Sequence, residues 1–291
     1  MDVASYCHEH ACWIENELSK LVEEKNLPYN ELFKAARYSL LSSGKRLRPI
    51  LMMAIAAAFG ADKQKALMPA LALEMIHTYS LIHDDLPCMD NDDYRRGRLT
   101  LHKVVPEWHA LLTGDFLLTY AFELISNAQL ITESQKLKLI SLFSKNAGAH
   151  GMIGGQVMDL MNVGKEMSIE NLEKLHSLKT GALLSAAVVG GAIIAGVEDY
   201  KEIEDFGEKI GLAFQIIDDV LDVTASEEKH GKKVSTDVIN NKITYVSHLG
   251  VEGSKQAASN LLSSAKEHLR KTFKDSTFLE LLAEKLVYRT I

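Results

Sequence analysis

The chain has 291 residues, of which 47% are hydrophobic and 24% charged, and its formal net charge is −7. The hydrophobic share is ample for a packed core, and the absence of a Pro/Gly/Ser-rich linker predicts one domain over 1–291. The negative charge disfavours nucleic acid as a partner, because phosphate backbones select positive surfaces. A small anionic ligand needs only a local basic pocket and is not excluded.

Cysteine usage and the chain's apolar runs bear on the compartment. Cys7, Cys12 and Cys88 are an odd number without metal-site spacing, which indicates a reducing compartment. The segment 1–10 is neither basic nor apolar and lacks the features of a signal peptide. The most apolar run, 182–197, is shorter than the roughly 20 residues that span a bilayer, so we expect a buried core helix. These features predict a cytoplasmic protein with no integral membrane segment.

Helical spacing of apolar residues recurs along nearly the whole chain, which predicts an all-α fold. Pro49 and Pro69 lie where the first turn of a helix tolerates proline, and residues 132–135 have the form of a capping box. The polar, lysine-rich segment 225–250 is predicted to form a flap. The predicted helices cover 3–25, 30–42, 50–59, the segment from Pro69 to the aspartates at 84, 107–127, 133–147, 148–163, 168–197, 199–224 and 253–287.

A dense acidic stretch follows the helix that contains Pro69. Five aspartates lie within 84–93, and three arginines follow within 95–98. Oxygen-rich clusters suit hard cations such as Mg²⁺, and arginine forks suit phosphate oxygens. Asp84 and Asp90 would face different sides of an unbroken helix, but Pro87 disfavours helical geometry before it. We therefore expect Asp90 to fold back towards Asp84 from a loop.

A second acidic site lies at 218–222. Asp218 and Asp222 are four residues apart, so on a helix they share one face. Isoleucines and leucines surround these aspartates in the sequence, and burying unpaired charges is unfavourable. A cation site is therefore the favoured interpretation, and an exposed acidic turn near a helix end is the alternative. Basic residues stand at the edges of both sites. They lie at 45–48, 95–96, Lys179 and, in the flap, Lys232, Lys233 and Lys242.

These motifs, in this order, resemble the trans-prenyltransferases, the short-chain polyprenyl diphosphate synthases, most closely the bacterial farnesyl type. The resemblance covers roughly 33–289 and implies the isoprenoid synthase fold, a single large helical bundle around a central cleft, in a homodimer. It rests on the motifs at 44–49, 74–77, 84–90, 95–97, 114–115, 154–156, 179–181 and 214–222.

The resemblance implies a Mg²⁺-dependent condensation of isopentenyl diphosphate with dimethylallyl or geranyl diphosphate, which releases diphosphate and gives farnesyl diphosphate. Several Mg²⁺ ions would be held by Asp84, Asp85, Asp90, Asp218 and Asp222. The allylic diphosphate would be bound by Arg95, Lys179 and Lys242, with Thr180, Gln215 and Lys232 nearby. Isopentenyl diphosphate would be bound by Gly44, Lys45, Arg48, His77 and Arg96. The catalytic set would be Asp84, Asp85, Arg95, Lys179 and Lys242.

Product length would be set on the helix before the first aspartates. Tyr79 lies five residues before Asp84, about one turn back, and with Ser80 it would limit growth of the prenyl chain. A tyrosine there is similar to the farnesyl arrangement, and geranylgeranyl diphosphate is the alternative product. His77 could instead be an ordinary core histidine.

The sequence departs from the family pattern at several places, and three other functions compete. Leu99 and Pro106 are atypical, as are Ser235, Thr236 and Val246 in and after the flap, and no role is assigned to the short tail after Arg289. A class I terpene cyclase would not need the second set of diphosphate-binding cations. A non-catalytic partner subunit would be expected to lose one aspartate motif, and a simple Mg²⁺–phosphate binding module would not need the long apolar helices.

Overall fold

The computed structural model describes residues 2–229 and 243–289, with the side chains of 225–229 left aside. Helices dominate these residues, so the predicted all-α class is confirmed. The helices are α1 Val3–Leu21, α2 Asn30–Leu40, α3 Leu47–Ala58, α4 Lys63–Asp84, α5 Leu101–Val104, α6 Glu107–Asn127, α7 Glu133–Ala147, α8 Met152–Met161, α9 Ile169–His176, α10 Ala182–Ile194, α11 Lys201–Lys229, α12 Tyr245–Thr272 and α13 Thr277–Val287.

Two helices match their predicted bounds, α6 and α7, and the capping box before α7 is confirmed. The Thr132 N–H donates to Oε1 of Gln135 at 2.9 Å, and the Gln135 N–H donates to Oγ1 of Thr132 at 3.2 Å. The prediction of one helix over 253–287 was wrong. Residues 273–276 interrupt it, because the Asp275 carboxylate accepts the Thr277 N–H at 3.0 Å and so favours a new helix start.

The flap prediction was too long at both ends. α11 continues to Lys229, and α12 begins at Tyr245 with Thr244 and Ser247 bonded to each other as a cap. Residues 230–242 of the predicted flap lie outside the described residues.

A small β-hairpin was missed by the helical reading. β1 (Tyr94–Arg95) pairs antiparallel with β2 (Arg98–Leu99). Arg96 and Gly97 form the turn, with φ of 53° and 76°. A two-residue hairpin turn of type I′ requires positive φ at both positions, which glycine adopts readily. Strands this short carry too little alternation to be recognised in a sequence.

The described residues fall into two compact units, one within Met1–Ser141 and Ile193–Val197, the other within Leu142–Ala192 and Glu198–Ile291. In the first unit α4 packs against α3 and α6. In the second, α11 packs against α12 and against the turn 177–181, where Gly211 and Gly181 allow close approach. The single-domain assignment over 1–291 stays a prediction.

The apolar run lies in a longer helical segment than its length suggested. Residues Ile169–Ile194 form 26 continuous helical residues with a mean hydropathy of 1.6, long and apolar enough to cross a membrane. The length argument against a span was therefore wrong, because the helix starts well before Ala182. Of its most apolar window, 78% is buried inside the protein, as in a core helix.

Candidate active site

The first aspartate motif folds back on the end of α4. The Asp90 N–H donates to the Asp84 carbonyl at 2.9 Å, and the Leu86 carbonyl accepts the N–H groups of Met89 and Asn91 at 2.9 and 3.1 Å. α4 ends at Asp84, three residues before Pro87, as the proline predicts. Asp84 and Asp90, both half-buried, therefore lie at the same helix end.

Arg95 on β1 is held by the second aspartate of this motif. Its Nε and Nη2 lie 2.7 and 2.6 Å from Oδ1 of Asp85, and Nη2 lies 3.6 Å from Asp92. Burial raises the pKa of Asp85 to about 6, against the effect of Arg95, with Asp92 and Asp84 adding to the rise. Arg95 therefore lies against a concentrated acidic site.

His77 is half-buried on α4 among cations. Burial, and then the charge of Arg48, lower its pKa well below the usual value, with Arg96, Arg95 and Arg46 acting in the same direction. The ring is neutral at pH 7, and the guanidinium groups around it form a positive region that suits a diphosphate. Whether His77 binds substrate or is an ordinary core histidine stays a prediction.

Arg46 has a structural role. Its fully buried guanidinium bonds Glu74 at 2.9 Å and lies 3.1 Å from Glu15. Of the three cations at 45–48, Lys45 is exposed and Arg48 half-buried. At Gly44 a Cβ would lie 2.5 Å from Nη1 of Arg96, so the glycine makes room for that guanidinium.

The predicted chain-length residues, Tyr79 and Ser80, lie on α4, the helix that also holds His77. Tyr79 is 5% exposed, its ring makes an edge contact with His83, and its hydroxyl has no hydrogen-bond partner among the residues that the structure describes. Burial raises the pKa of Tyr79 to about 12. Ser80 donates to the His77 carbonyl at 2.8 Å.

In the second unit Lys179 lies in a π-helical turn, Ser177–Gly181, between α9 and α10. Its Nζ lies 2.6 Å from Oδ2 of Asp159 on α8. A Cβ on Gly155 would lie 2.3 Å from the Lys179 N, so the glycine lets α8 approach this turn. Single π turns inside helices are frequent at functional sites.

Hydrogen bonds link Thr180 to the second aspartate motif. Thr180 Oγ1 donates to Oε1 of Gln215 at 2.8 Å, and Nε2 of Gln215 donates to Oδ1 of Asp219 at 3.2 Å. Oδ2 of Asp219 accepts the Tyr245 N–H at 2.9 Å and lies 3.2 Å from Nε2 of His176. The buried Asp219 thus links α9, α11 and the start of α12.

The outer aspartates of the motif are reachable from solvent. Oδ2 of Asp218 lies 2.7 Å from Nη2 of Arg289, and Asp222 is exposed. An open cavity of about 190 Å³ in this unit is lined by Asp159, Lys179, Thr180, Gln215, Asp219 and Asp222, among others. It brings together the predicted residues Lys179, Thr180, Gln215 and Asp222.

Several predicted residues are not placed. Lys232, Lys233, Lys242, Ser235 and Thr236 lie outside the described residues. Val246 lies in the first turn of α12.

The carboxylates of the two aspartate motifs suit Mg²⁺ if substrate phosphates and water complete the coordination of the ion. Within 2–229 and 243–289, no three His, Cys, Asp or Glu side chains are grouped closely enough to hold an ion by themselves. Mg²⁺ keeps several waters and is usually bound by one or two carboxylates plus substrate phosphates. The two pairs Asp84 with Asp90 and Asp218 with Asp222 match that requirement.

Sequence reasoning missed Asp159, Asp219, His176 and Arg289 as partners of the predicted residues. Asp159 could have been found, because it follows Gln156 by three residues and so shares its face of α8. The contacts of Asp219, His176 and Arg289 join residues far apart in the chain, and no local sequence pattern predicts such contacts.

Comparison with known proteins gives consistent matches. The polyprenyl synthetase family model matches residues 29–282. The chain is 43% identical to farnesyl diphosphate synthase of Geobacillus stearothermophilus, over 99% of this chain and 98% of the relative. It is also 43% identical to geranylgeranyl diphosphate synthase of Cyanophora paradoxa, over 92% of this chain and 90% of the relative. Among solved structures, the chain is 36% identical to geranyltransferase from Helicobacter pylori, which was solved in complex with magnesium and isoprenyl diphosphate. The match covers 100% of this chain and 98% of the Helicobacter chain, with a TM-score of 0.84.

Proposed function

Because the chain belongs to the polyprenyl synthetase family, we propose that it condenses isopentenyl diphosphate with dimethylallyl and geranyl diphosphate to give farnesyl diphosphate. The isoprenoid synthase fold follows from the same family membership. The observation that carries the proposal is the 43% identity to a farnesyl diphosphate synthase over 99% of this chain, with both aspartate motifs intact.

Both aspartate motifs belong to the proposed chemistry. From the family pattern, Asp84, Asp85 and Asp90, together with Asp218 and Asp222, would hold Mg²⁺. When bound, Mg²⁺ supplies positive charge that neutralises the diphosphate as a leaving group. Arg95 and Lys179 bind the allylic diphosphate, and Thr180 and Gln215 orient Lys179 through the π turn. Lys232 and Lys242 are assigned to the same diphosphate from the family pattern.

The cations around His77 bind the second substrate. Gly44, Lys45, Arg48, His77 and Arg96 form the isopentenyl diphosphate site. In the reaction the C–O bond of the allylic diphosphate breaks, and the double bond of isopentenyl diphosphate attacks the allylic carbon to form a C–C bond. The released diphosphate takes the departing proton. No Ser or Cys nucleophile is needed, because catalysis comes from preorganised charge in a site that excludes water.

The test is incubation of purified protein with Mg²⁺, dimethylallyl diphosphate and isopentenyl diphosphate, with products separated by chain length. We expect farnesyl diphosphate; a C20 product would support the geranylgeranyl alternative. A terpene cyclase would release a hydrocarbon without consuming isopentenyl diphosphate. Absence of any elongation would contradict the proposal and favour a binding module or a partner subunit.

Tyr79 limits the product in this proposal through its ring. Tyr79→Ala removes the ring and should lengthen the product beyond C15. Tyr79→Phe deletes only a hydroxyl that has no partner in the described part of the chain, so C15 should remain the main product. An unchanged product from Tyr79→Ala would exclude Tyr79 as the limiting residue.

A cytoplasmic homodimer completes the proposal. α6 presents Trp108, Leu111 and Leu112 on its surface, exposed by 63%, 44% and 49%. They stand at i, i+3 and i+4 and so share one helix face, which suits a subunit interface.

A further inference from the structure

The C-terminal turn brings a cation to the second aspartate motif. Arg289 follows α13 with a left-handed backbone, φ 55°, and its Nη2 lies 2.7 Å from Oδ2 of Asp218. Its guanidinium also lies over the Phe214 ring, 4.3 Å from the centroid. Phe214 and Asp218 are one turn apart on α11, so one guanidinium covers both. A charge contact and a ring contact therefore hold Arg289 against the motif.

This guanidinium contacts an oxygen that the proposed function assigns to a divalent cation. The side chains of Asp218 and Arg289 are 29% and 31% exposed, so incoming ions can reach both. A Mg²⁺ ligand oxygen lies about 2.0–2.1 Å from the ion. A guanidinium that kept its contact with the same oxygen would stand within a few ångströms of that dication. Like charges this close repel, so Arg289 cannot keep this contact once Oδ2 binds metal.

We propose that Arg289 is the counter-ion of Asp218 in the metal-free enzyme and is displaced by the divalent cation; this rests on the proposed function. Before metal binds, Arg289 holds the carboxylate in position through the 2.7 Å contact. Since the pair must be broken during loading, Arg289 also competes with the metal. It is a positioning residue for the metal ligand.

The test measures metal affinity and not turnover. Mn²⁺ binding to the full chain is titrated by EPR, with and without inorganic diphosphate. Arg289→Gln should bind Mn²⁺ up to about fivefold more tightly than wild type, the range expected for the loss of a competing, partly exposed ion pair. Arg289→Lys keeps the charge and should stay close to wild type.

Arg270→Gln is the matched control. Arg270 pairs with Glu280 through Nε at 2.9 Å and Nη2 at 2.6 Å in the same unit, but Glu280 is not part of an aspartate motif. Its Mn²⁺ affinity should equal that of wild type. Asp218→Asn should weaken Mn²⁺ binding, which shows that the titration reports on this motif.

Two failures are distinguishable. If wild type binds Mn²⁺ and Asp218→Asn weakens it, but Arg289→Gln binds with unchanged or lower affinity, the role of Arg289 is overturned and the proposed function stands. If wild type binds no Mn²⁺ even with diphosphate, the metal site itself is wrong, and both proposals fall.

Discussion

Asp219 and Asp222 belong to one aspartate motif but have opposite surroundings. Asp219 is 4% exposed and accepts hydrogen bonds from Gln215 and the Tyr245 N–H beside His176, whereas Asp222 is exposed. Neighbouring acids with similar sequence surroundings thus serve different purposes. The buried one supports the fold, and the exposed one is available to a ligand.

This difference predicts separate effects on stability. Asp219→Ala leaves buried donors unsatisfied and should lower the free energy of unfolding by about 2–4 kcal/mol. Asp222→Ala should change it by no more than about 0.5 kcal/mol, while it lowers prenyltransferase activity. Urea unfolding followed by circular dichroism measures both. Equal losses of stability in the two variants would contradict this assignment.

His77 predicts a pH dependence of stability. Its folded pKa lies well below the unfolded value of about 6.5, because burial and the charges of Arg48, Arg96, Arg95 and Arg46 disfavour protonation. The neutral ring contributes its full stability above pH 6.5, and this is lost as pH falls below 6.5, since the unfolded chain then binds a proton that the folded chain refuses.

Replacing the histidine isolates this effect. Between pH 6.5 and 5.5 wild type should lose up to about 1 kcal/mol more unfolding free energy than His77→Gln, which cannot titrate. Urea unfolding at a series of pH values gives both curves. Parallel curves would show that His77 is not the source.

At the scale of elements, the close contact between α11 and the π turn depends more on Gly211 of α11 than on Gly181 of the turn. A Cβ on Gly211 would lie 2.6 Å from the Gly181 Cα, an impossible contact with backbone. A Cβ on Gly181 would have its nearest neighbour at 3.6 Å, an ordinary contact. The geometry of the turn that holds Lys179 and Thr180 therefore depends on Gly211.

The pair gives a matched prediction. Gly211→Ala should destabilise the protein by about 1–3 kcal/mol, because backbone must shift. Gly181→Ala should be neutral or stabilising by up to about 1 kcal/mol, because alanine favours helix. Melting curves of the two variants compare them directly, and a stable Gly211→Ala protein would mean that α11 does not pack as described.

The hairpin that holds Arg95 and Arg96 is fixed to α2 by one side chain. The Tyr38 hydroxyl donates to the Leu99 carbonyl at 2.8 Å, and the Arg98 guanidinium lies over the Tyr38 ring at 4.2 Å. A distant helix thus positions two arginines that sequence reasoning assigned to different substrates.

For the whole molecule, the exposed face of α6 predicts the assembly. A charge at its centre should oppose burial between subunits, so Leu112→Glu should convert a dimer to a monomer. Tyr29→Glu is the control, because Tyr29 is also exposed (59%) but precedes α2 and is not part of α6. Size-exclusion chromatography with light scattering reads the mass. A wild-type monomer, or a dimeric Leu112→Glu variant, would contradict the homodimer proposal.

The sequence by itself determined the helical class, the bounds of α6 and α7, the helix end before Pro87 and the family, since all depend on local spacing and motif order. Only the tertiary structure decided which charges are available. It assigned Arg46 to Glu74, Lys179 to Asp159 and Asp218 to Arg289. Each pairing joins residues that are far apart in the sequence, and its strength depends on burial that no local pattern encodes.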